Sequence, residues 1–157
     1  ELDKVIKKAS KKGITIVSAV GNGGLSTQDT ITYPAKLEGV IGIGATNNKN
    51  ERWFKSSRGE GIDVMAPGEN IYGTTLDNKT VKQSGTSVAA AYTTGVIALL
   101  KQHDNGLSNV EIEKILKETA SSLGSKYEYG SGIMNEKEFL IYNENKSVFH
   151  KLFDFFK

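Results

Sequence analysis

Three short segments that are apolar on both faces constrain the fold of this chain more than any other feature. They cover residues 14–20, 40–45 and 62–66, and apolar side chains dominate each of them. Strands without a polar face are typical of a parallel sheet that is covered on both sides. The sequence therefore predicts an α/β fold built on a parallel sheet.

The segment before the first strand predicts a helix over residues 1–12. Apolar residues recur there at helical spacing with lysines between them, and Gly13 follows where a left-handed glycine commonly ends a helix. The apolar positions are Leu2, Val5, Ile6 and Ala9. Helix, turn and strand form half of a βαβ unit. Because ligands bind beyond the carboxyl ends of parallel strands, residues 21–24 are expected at a site.

A Gly-Thr-Ser triplet at residues 85–87 opens a predicted helix that has almost no polar face. The Ser87 hydroxyl would then lie at a helix N-terminus, where free N–H groups and the macrodipole favour negative charge. The small residues Gly85 and Ala89 beside it allow a substrate backbone to approach closely. The alternative is that Thr86 or Ser87 merely caps a buried helix, and for the triplet in isolation this is the better interpretation.

The order of three segments along the chain favours the functional interpretation. They are Ser-Ala-Val-Gly-Asn-Gly-Gly at 18–24, Ile-Asp-Val-Met-Ala-Pro-Gly at 62–68 and the Gly-Thr-Ser triplet. In this order and at these distances they resemble the oxyanion segment, the strand before the serine and the serine segment of the subtilisin family of serine proteases. Tyr-Pro-Ala at 33–35 and Tyr-Gly-Ser-Gly-Ile-Met-Asn at 129–135 extend the resemblance, which covers about residues 1–140.

The resemblance implies a subtilisin-like three-layer fold, a parallel sheet flanked by helices, present here as its C-terminal part. We expect residues 1–142 to form the C-terminal half of a catalytic domain and residues 143–157 to form an amphipathic tail. Packing of this tail on its own domain is favoured over binding of a partner or a membrane surface. Its apolar stripe consists of Val148, Phe149, Leu152, Phe153, Phe155 and Phe156.

The resemblance also implies the roles of individual residues in the cleavage of a peptide or protein substrate. Ser87 would be the nucleophile, and the side-chain amide of Asn22 would donate to the developing oxyanion. On its own, an Asn beside Gly is more simply a turn residue. The implied substrate contacts are Ala19, Val20 and Gly21 as one wall of the pocket for the residue before the scissile bond, Thr32 near its base, and Gly85 and Thr86 beside the serine.

The sequence does not supply the rest of a Ser-His-Asp triad. His103 follows Ser87 on the same predicted helix at a distance of about 24 Å, and His150 lies in the tail. In the family, the Asp and the His come on motifs before the segment at which this sequence starts, and neither Asp-[Ser/Thr]-Gly nor His-Gly-Thr occurs in it. We therefore expect a missing amino-terminal half to supply both residues, and the chain alone to be inactive.

Two acidic residues have competing interpretations. Asp63 invites assignment as the triad carboxylate, but an Asp in this strand segment is a common structural feature of the family, and a structural role is favoured. Asp29 could favour a basic substrate residue, although a solvated loop carboxylate is the simpler explanation.

One departure from the family pattern bears on the reaction. Ala91 stands where the family usually has a proline, which would fix the first helical turn without losing a needed hydrogen bond. A slightly different serine position could change the rate or favour amines over water as acyl acceptors. The main hypothesis is a serine endopeptidase, with leader-peptide processing as a candidate subclass; the alternatives are a transpeptidase or ligase and a degenerate peptide-binding subtilase.

Composition excludes other classes of protein. The chain has no cysteine, which excludes a thiol nucleophile and a disulfide framework, and its formal net charge of +2 is too small to indicate nucleic acid or membrane binding. No apolar run reaches the roughly 18 residues that span a membrane, and no signal peptide is visible. The resemblance implies a secreted or cell-surface protein with no cofactor for the chemistry and with a structural calcium ion.

Overall fold

The computed structural model describes residues 1–142, and the predicted tail at 143–157 lies outside the described residues. The elements in chain order are α1 (Leu2–Ser10), β1 (Ile16–Ala19), β2 (Val40–Thr46), β3 (Val64–Pro67), β4 (Ile71–Thr74), β5 (Thr80–Gln83), α2 (Thr86–His103), α3 (Asn109–Thr119), α4 (Lys126–Tyr129) and α5, whose described part is 136–142.

The first three strands form the predicted parallel sheet, in the order β1-β2-β3. β2 lies in the middle and all seven of its residues are buried, as expected for a strand covered on both faces. Two strands are shorter than predicted at their beginnings. Residues 14 and 15 belong to the turn that leaves α1, where the Ile14 N–H donates to the Ala9 carbonyl.

The two faces of the sheet are covered differently. One face packs on α2, α3 and α5, and its cluster is the larger core. The other face carries a smaller cluster, drawn mainly from the loops that connect the strands. The larger core includes Ile41, Ile43, Val64, Ile97, Leu100, Ile112, Leu116 and Phe139, and the smaller one consists of Val20, Ile31, Ala35, Ile62 and Met65.

The glycines of β2 allow other parts of the chain to pack closely on the strand. A Cβ added at Gly42 would lie 2.1 Å from the Gly61 carbonyl oxygen, and one at Gly44 would lie 2.4 Å from the Met65 sulfur. Both distances are far inside van der Waals contact, so side chains at these positions would push the covering loop or Met65 away from the sheet. Glycine therefore lets the loop backbone lie directly on the strand.

α1 is an amphipathic helix that ends as predicted, but only part of its apolar face is buried. Gly13 has a φ of +75°, its N–H donates to the Ser10 carbonyl, and Ile14 completes the Schellman pair of bonds. Of the apolar positions expected to pack, only Ile6 is fully buried, whereas Leu2 and Val5 remain 52% and 63% exposed. Ile6 lies on the side of α1 that faces the rest of the described chain, where the Asn109 side chain donates to Ser10 one turn further on.

The expectation of a fully buried α2 is also corrected. Its inner face is buried and packs on the sheet, but Ala91, Gly95, Ala98 and Leu99 are exposed. These four positions recur at helical spacing and therefore form one outward stripe. Because α2 has almost no polar face, two of its sides are apolar. The described residues cover only one of them.

Local signals elsewhere predict the structure well. The hairpin β4–β5 turns through Asn78, whose φ is +58°. Ser108 and Glu111 form a capping box at the start of α3. None of the helices within residues 1–142 has the length and apolar character needed to cross a bilayer.

Candidate active site

The strand β3 and the Pro67-Gly68 turn after it support the residue from which α2 begins. The Gly85 N–H donates to the Gly68 carbonyl at 2.8 Å, and Gly68 is buried against Ala45 so tightly that an added Cβ would lie 2.6 Å from that side chain. Gly85 caps α2 without a side-chain hydrogen bond. The first turn of the helix therefore starts from a fixed backbone.

Ser87 lies in this first turn and is exposed. Within residues 1–142, no protein group accepts a hydrogen bond from its N–H. Its side chain borders a cavity of about 390 Å³ between the hairpin and α2. The other residues that line the cavity are Ile71, Tyr72, Gly73, Gln83, Val88, Ala91 and Tyr92. The Ser87 hydroxyl is thus presented to solvent at a helix N-terminus beside an open cleft.

Asn22 is held against the same turn by its side-chain oxygen. Asn22 Oδ1 accepts from the Thr86 N–H at 3.1 Å and from the Thr86 hydroxyl at 2.9 Å. The same hydroxyl accepts from the Gly21 N–H at 3.2 Å. Because Oδ1 is occupied twice, the amide orientation is defined and the Nδ2 donors are left without a partner among the described residues.

Gly85 lies between the two predicted catalytic groups. A Cβ added there would be 3.1 Å from Ser87 Oγ and 3.8 Å from Asn22 Nδ2. The structure therefore brings the hydroxyl and the amide donors to the same place, over a residue that has no side chain to separate them. A tetrahedral oxyanion formed by attack of the hydroxyl needs donors in this position.

The loop that carries Asn22 rests on residues 52–58. The Ser57 N–H donates to the Gly21 carbonyl at 2.9 Å, and Ser57 Oγ accepts from the Gly23 N–H at 2.9 Å. Gly24 is fixed by the Lys55 carbonyl in the same way. The aromatic-Ser-Ser pattern at residues 53–57 belongs to the family resemblance, but it does not assign Ser57 a role at the site.

The other predicted substrate contacts lie close to Asn22 but differ in exposure. The Val20 side chain is fully buried in the smaller core, and its carbonyl accepts from the Thr32 N–H at 3.0 Å. Ala19 packs against the larger core, whereas Thr32 is exposed. Thr32 also borders Gly21, where an added Cβ would meet the threonine side chain at 3.2 Å. Gly21 and Thr32 are thus the members of this group that reach the surface beside Asn22.

Asp29 is already engaged within the protein. Its carboxylate accepts from the Ile31 N–H and pairs with Lys36, each at 2.9 Å. The hydrogen bond from Ile31 and then the ammonium of Lys36 hold the pKa of Asp29 below its usual value. This pairing weakens the case that Asp29 attracts a basic substrate residue.

Asp63 occupies a structural position. Its carboxylate accepts from the Gly42 N–H at 2.6 Å and pairs with Lys117 of α3, also at 2.6 Å. Burial raises the pKa of Asp63 and outweighs the opposing influence of Lys117 and Gly42. Burial tends to lower the pKa of Lys117, but hydrogen bonds to Asp63 and Glu113 raise it overall. These contacts tie β2 to α3, in agreement with the interpretation favoured from the sequence.

Neither histidine of the chain is seen at Ser87. His103 ends α2, many turns away from the serine, and His150 lies outside the described residues. Within residues 1–142 no group of three or more His, Cys, Asp or Glu side chains comes together, so no ligand set is identified for the implied calcium ion.

Comparison with known proteins places these features in a family. The family model that matches residues 1–132 is described as the subtilase family, Peptidase_S8. Subtilisin BL and subtilisin Savinase, both from Lederbergia lenta, are 40% and 39% identical over 134 residues. Each match covers 85% of this chain and 49% of the relative. The chain therefore spans about half the length of the curated relatives it matches.

Solved structures show the same fold. The self-cleaved protease domain of PatA has a TM-score of 0.80 and 25% identity, with 92% of this chain and 55% of that chain covered. The patellamide maturation protease PatG has a TM-score of 0.79 and 26% identity, with 89% and 47% covered. The parallel sheet, the order of the motifs and these similarities agree: the chain belongs to the subtilase family of serine proteases.

Proposed function

We propose that this chain contributes the nucleophile Ser87 and the oxyanion donor Asn22 to a serine endopeptidase. The observation that carries the proposal is the fixed orientation of the Asn22 amide. Thr86 occupies Oδ1 with two hydrogen bonds, which leaves the Nδ2 donors available next to Ser87 Oγ. A turn asparagine with no catalytic role would not need this orientation.

In the proposed reaction, Ser87 Oγ attacks the carbonyl carbon of the scissile peptide bond while a histidine takes the hydroxyl proton. The carbonyl oxygen becomes an oxyanion, which accepts from Asn22 Nδ2 and from the Ser87 N–H. The carbon–nitrogen bond then breaks, the leaving amine takes the proton, and an ester on Ser87 remains. Water hydrolyses this ester to regenerate the hydroxyl. No cofactor is required for any of these steps.

The histidine and the aspartate of the triad would come from a segment that is not in this chain. Two features support its docking here. Within residues 1–142 no strand pairs with the outer edge of β1, whereas the outer edge of β3 is bridged by Ile133. The outward stripe of α2 is apolar and uncovered, with Leu99 half exposed. An additional strand and helix at these places would complete the sheet and cover the stripe.

The substrate would be a peptide or protein, and a maturation protease is the favoured subclass. Two of the structural relatives are described as maturation proteases. Ala91 also borders the cleft at Ser87 in place of the usual proline. If this change favours amines as acyl acceptors, the protein is a transpeptidase or ligase, and product analysis by mass spectrometry with an added amine would show the new peptide bond.

On the basis of the family resemblance, we also propose that the protein is exported from the cell and binds a structural calcium ion.

Kinetics of two variants test the proposal in the assembled enzyme, meaning this chain together with the segment that supplies the histidine and the aspartate. Ser87→Ala should abolish acyl-enzyme formation. Asn22→Ala should lower kcat with little change in KM, because the donor acts on charge that develops only in the transition state. In subtilisin itself, loss of the oxyanion-hole asparagine lowers kcat by about 10²- to 10³-fold.

An increase in KM with an unchanged kcat in Asn22→Ala would disprove the oxyanion role. The alternative of a degenerate peptide-binding subtilase makes a different prediction. It requires that wild-type assembled enzyme binds peptide but forms no acyl-enzyme, with Ser87→Ala binding equally well.

A further inference from the structure

Ser57 contacts the main chain on both sides of Asn22. Its N–H donates to the Gly21 carbonyl and its Oγ accepts from the Gly23 N–H, each at 2.9 Å. The Ser57 side chain is fully buried, and its bond to the Gly23 N–H is part-buried. We propose that Ser57 is a positioning residue that fixes the backbone of Asn22 and thereby aims its Nδ2 donors at the oxyanion; this rests on the proposed role of Asn22.

The loop needs this support from Ser57 because glycines surround Asn22. Gly21 has a φ of +108°, and Gly23 and Gly24 follow Asn22 directly. Glycine populates many backbone conformations, so the local sequence does not define where the Asn22 Cα lies. Thr86 holds only the far end of the side chain, at Oδ1. The position of Nδ2 therefore depends on two anchors, Thr86 at the amide and Ser57 at the main chain.

The segment that carries Ser57 is itself held by other parts of the fold. The neighbouring Ser56 Oγ accepts from the Ala45 N–H of β2 at 3.0 Å. The guanidinium of Arg58 donates to the Gly24 carbonyl at 3.2 Å and pairs with Glu128 of α4 at 2.8 Å. Arg58 thus connects the Asn22 loop to α4, whereas the Ser56 hydroxyl holds β2 and makes no hydrogen bond to the Asn22 loop. A rigid support of this kind is what a positioning residue requires.

Ser56 provides a matched control for Ser57. Both serines are fully buried, both hydroxyls accept from a backbone N–H, and they are adjacent in the chain. Ser56 holds a strand, whereas Ser57 holds the Asn22 loop. Replacement of either by alanine leaves one backbone N–H without its acceptor, and the loss of stability should be at least as large for Ser56→Ala because its partner Ala45 is fully buried. Only the Ser57 variant should affect the placement of Asn22.

The test measures kcat, KM and thermal stability for Ser57→Ala and Ser56→Ala in the assembled enzyme. We expect Ser57→Ala to lower kcat by about 5- to 30-fold with KM within about twofold, because a small displacement of a transition-state donor affects the chemical step. Ser56→Ala should keep kcat within about twofold, although its loss of stability should be at least as large. Ser57→Cys keeps a weak acceptor of similar size and should give an intermediate kcat. It replaces the alanine variant in the test if Ser57→Ala does not fold.

The double variant Ser57→Ala/Asn22→Ala separates this inference from the proposed function. If Ser57 acts through Asn22, its replacement should have no further effect on kcat once Asn22 is alanine. The positioning role would be overturned, while the oxyanion role stands, if Ser57→Ala lowered kcat by the same factor in both backgrounds. An equal decrease of kcat in Ser56→Ala and Ser57→Ala would have the same meaning. If Asn22→Ala alone leaves kcat unchanged, the proposed function fails, and the role of Ser57 fails with it.

Discussion

The Thr86 hydroxyl lies 2.9 Å from Asn22 Oδ1 and so joins the first residue of α2 to the loop that follows β1. These residues are 64 positions apart in the chain. Thr86 is buried and precedes the proposed nucleophile, while Asn22 is exposed and carries the proposed oxyanion donor. One side chain thus fixes the relative positions of the two groups that would act on the same substrate atom.

Replacement of Thr86 by valine should reduce activity without a large change in shape. The substitution removes the donor to Asn22 Oδ1 and the acceptor for the Gly21 N–H, although the Thr86 N–H bond to Asn22 remains. We expect kcat to fall by about tenfold, the effect of losing one net hydrogen bond that orients the donor. Thr86→Ser keeps the hydroxyl and should retain most of kcat. Equal activity of the two variants would show that the hydroxyl does not orient Asn22.

Gly85→Ala should interfere directly with the nucleophile. The backbone of Gly85 is extended, with a φ of 164°, so alanine fits its conformation and any effect comes from contact. The new Cβ would lie 3.1 Å from Ser87 Oγ, which is tighter than ordinary packing. We expect the restricted hydroxyl to lower kcat by at least about tenfold in a steady-state assay of the assembled enzyme. Full activity in this variant would mean that Ser87 reacts from a different rotamer.

The outward stripe of α2 should be the surface on which the missing segment packs. Leu99→Asp places a charge in this stripe and should weaken assembly by at least about tenfold, measured by titration of one part with the other. Leu76→Asp is the control, because Leu76 is fully exposed at the hairpin turn and outside the stripe. Similar weakening by both substitutions would indicate a general effect of the added negative charge and not a lost interface.

The pair of Asp63 and Lys117 predicts how stability depends on alkaline pH. The pKa of Lys117 is raised above 10.5 in the folded protein, so its stabilising contribution is complete below that pH and is lost as pH rises through the folded value. Lys117→Met should lower the free energy of unfolding of the assembled enzyme at pH 8 by about 1–3 kcal/mol. This loss of unfolding free energy is smaller than for a fully buried ion pair because Lys117 is partly exposed.

The same variant should lose less stability than wild type between pH 10.5 and 12, since the titrating group is gone. Lys114→Met serves as its control, because Lys114 lies on the same helix and pairs with Glu118 at the surface at 3.7 Å. A pH profile of Lys117→Met that parallels the wild type would refute the coupling.

Asp29→Ala should leave cleavage specificity unchanged. The carboxylate is already paired with Lys36 and bonded to Ile31, so little charge is left to attract a basic substrate residue. Profiling with a peptide library should give the same preferences for wild type and variant. A selective loss of cleavage after basic residues would restore the specificity hypothesis for Asp29.

Sequence patterns predict the parts of this structure that depend on local chemistry. The two-sided apolar pattern of β2, the glycine that ends α1 and the capping box of α3 each follow from a few neighbouring residues. The same patterns fail where they concern what covers a surface, as the exposure of Leu2 and Leu99 shows. An apolar face indicates that burial of this face would be favourable. Only the three-dimensional structure shows whether another part of the protein covers it.

The candidate site divides in the same way. Ser87 and Asn22 stand in motifs that can be read along the chain, so their roles could be predicted. The residues that orient them could not be predicted, because Ser57 acts through backbone hydrogen bonds to a loop 34 positions away. Such contacts require only a hydroxyl in the right place and leave no periodicity or spacing in the sequence.

Labelling of Ser87 by a fluorophosphonate tests the central claim most directly. The probe reacts with a serine hydroxyl that is activated by a base, and a helix N-terminus alone lowers the pKa of a hydroxyl far too little. We predict rapid labelling of the assembled enzyme, complete loss of labelling in Ser87→Ala, and no appreciable labelling of the 157-residue chain by itself. Labelling of the isolated chain at the full rate would contradict the account, because His103 or His150 would then have to be the base.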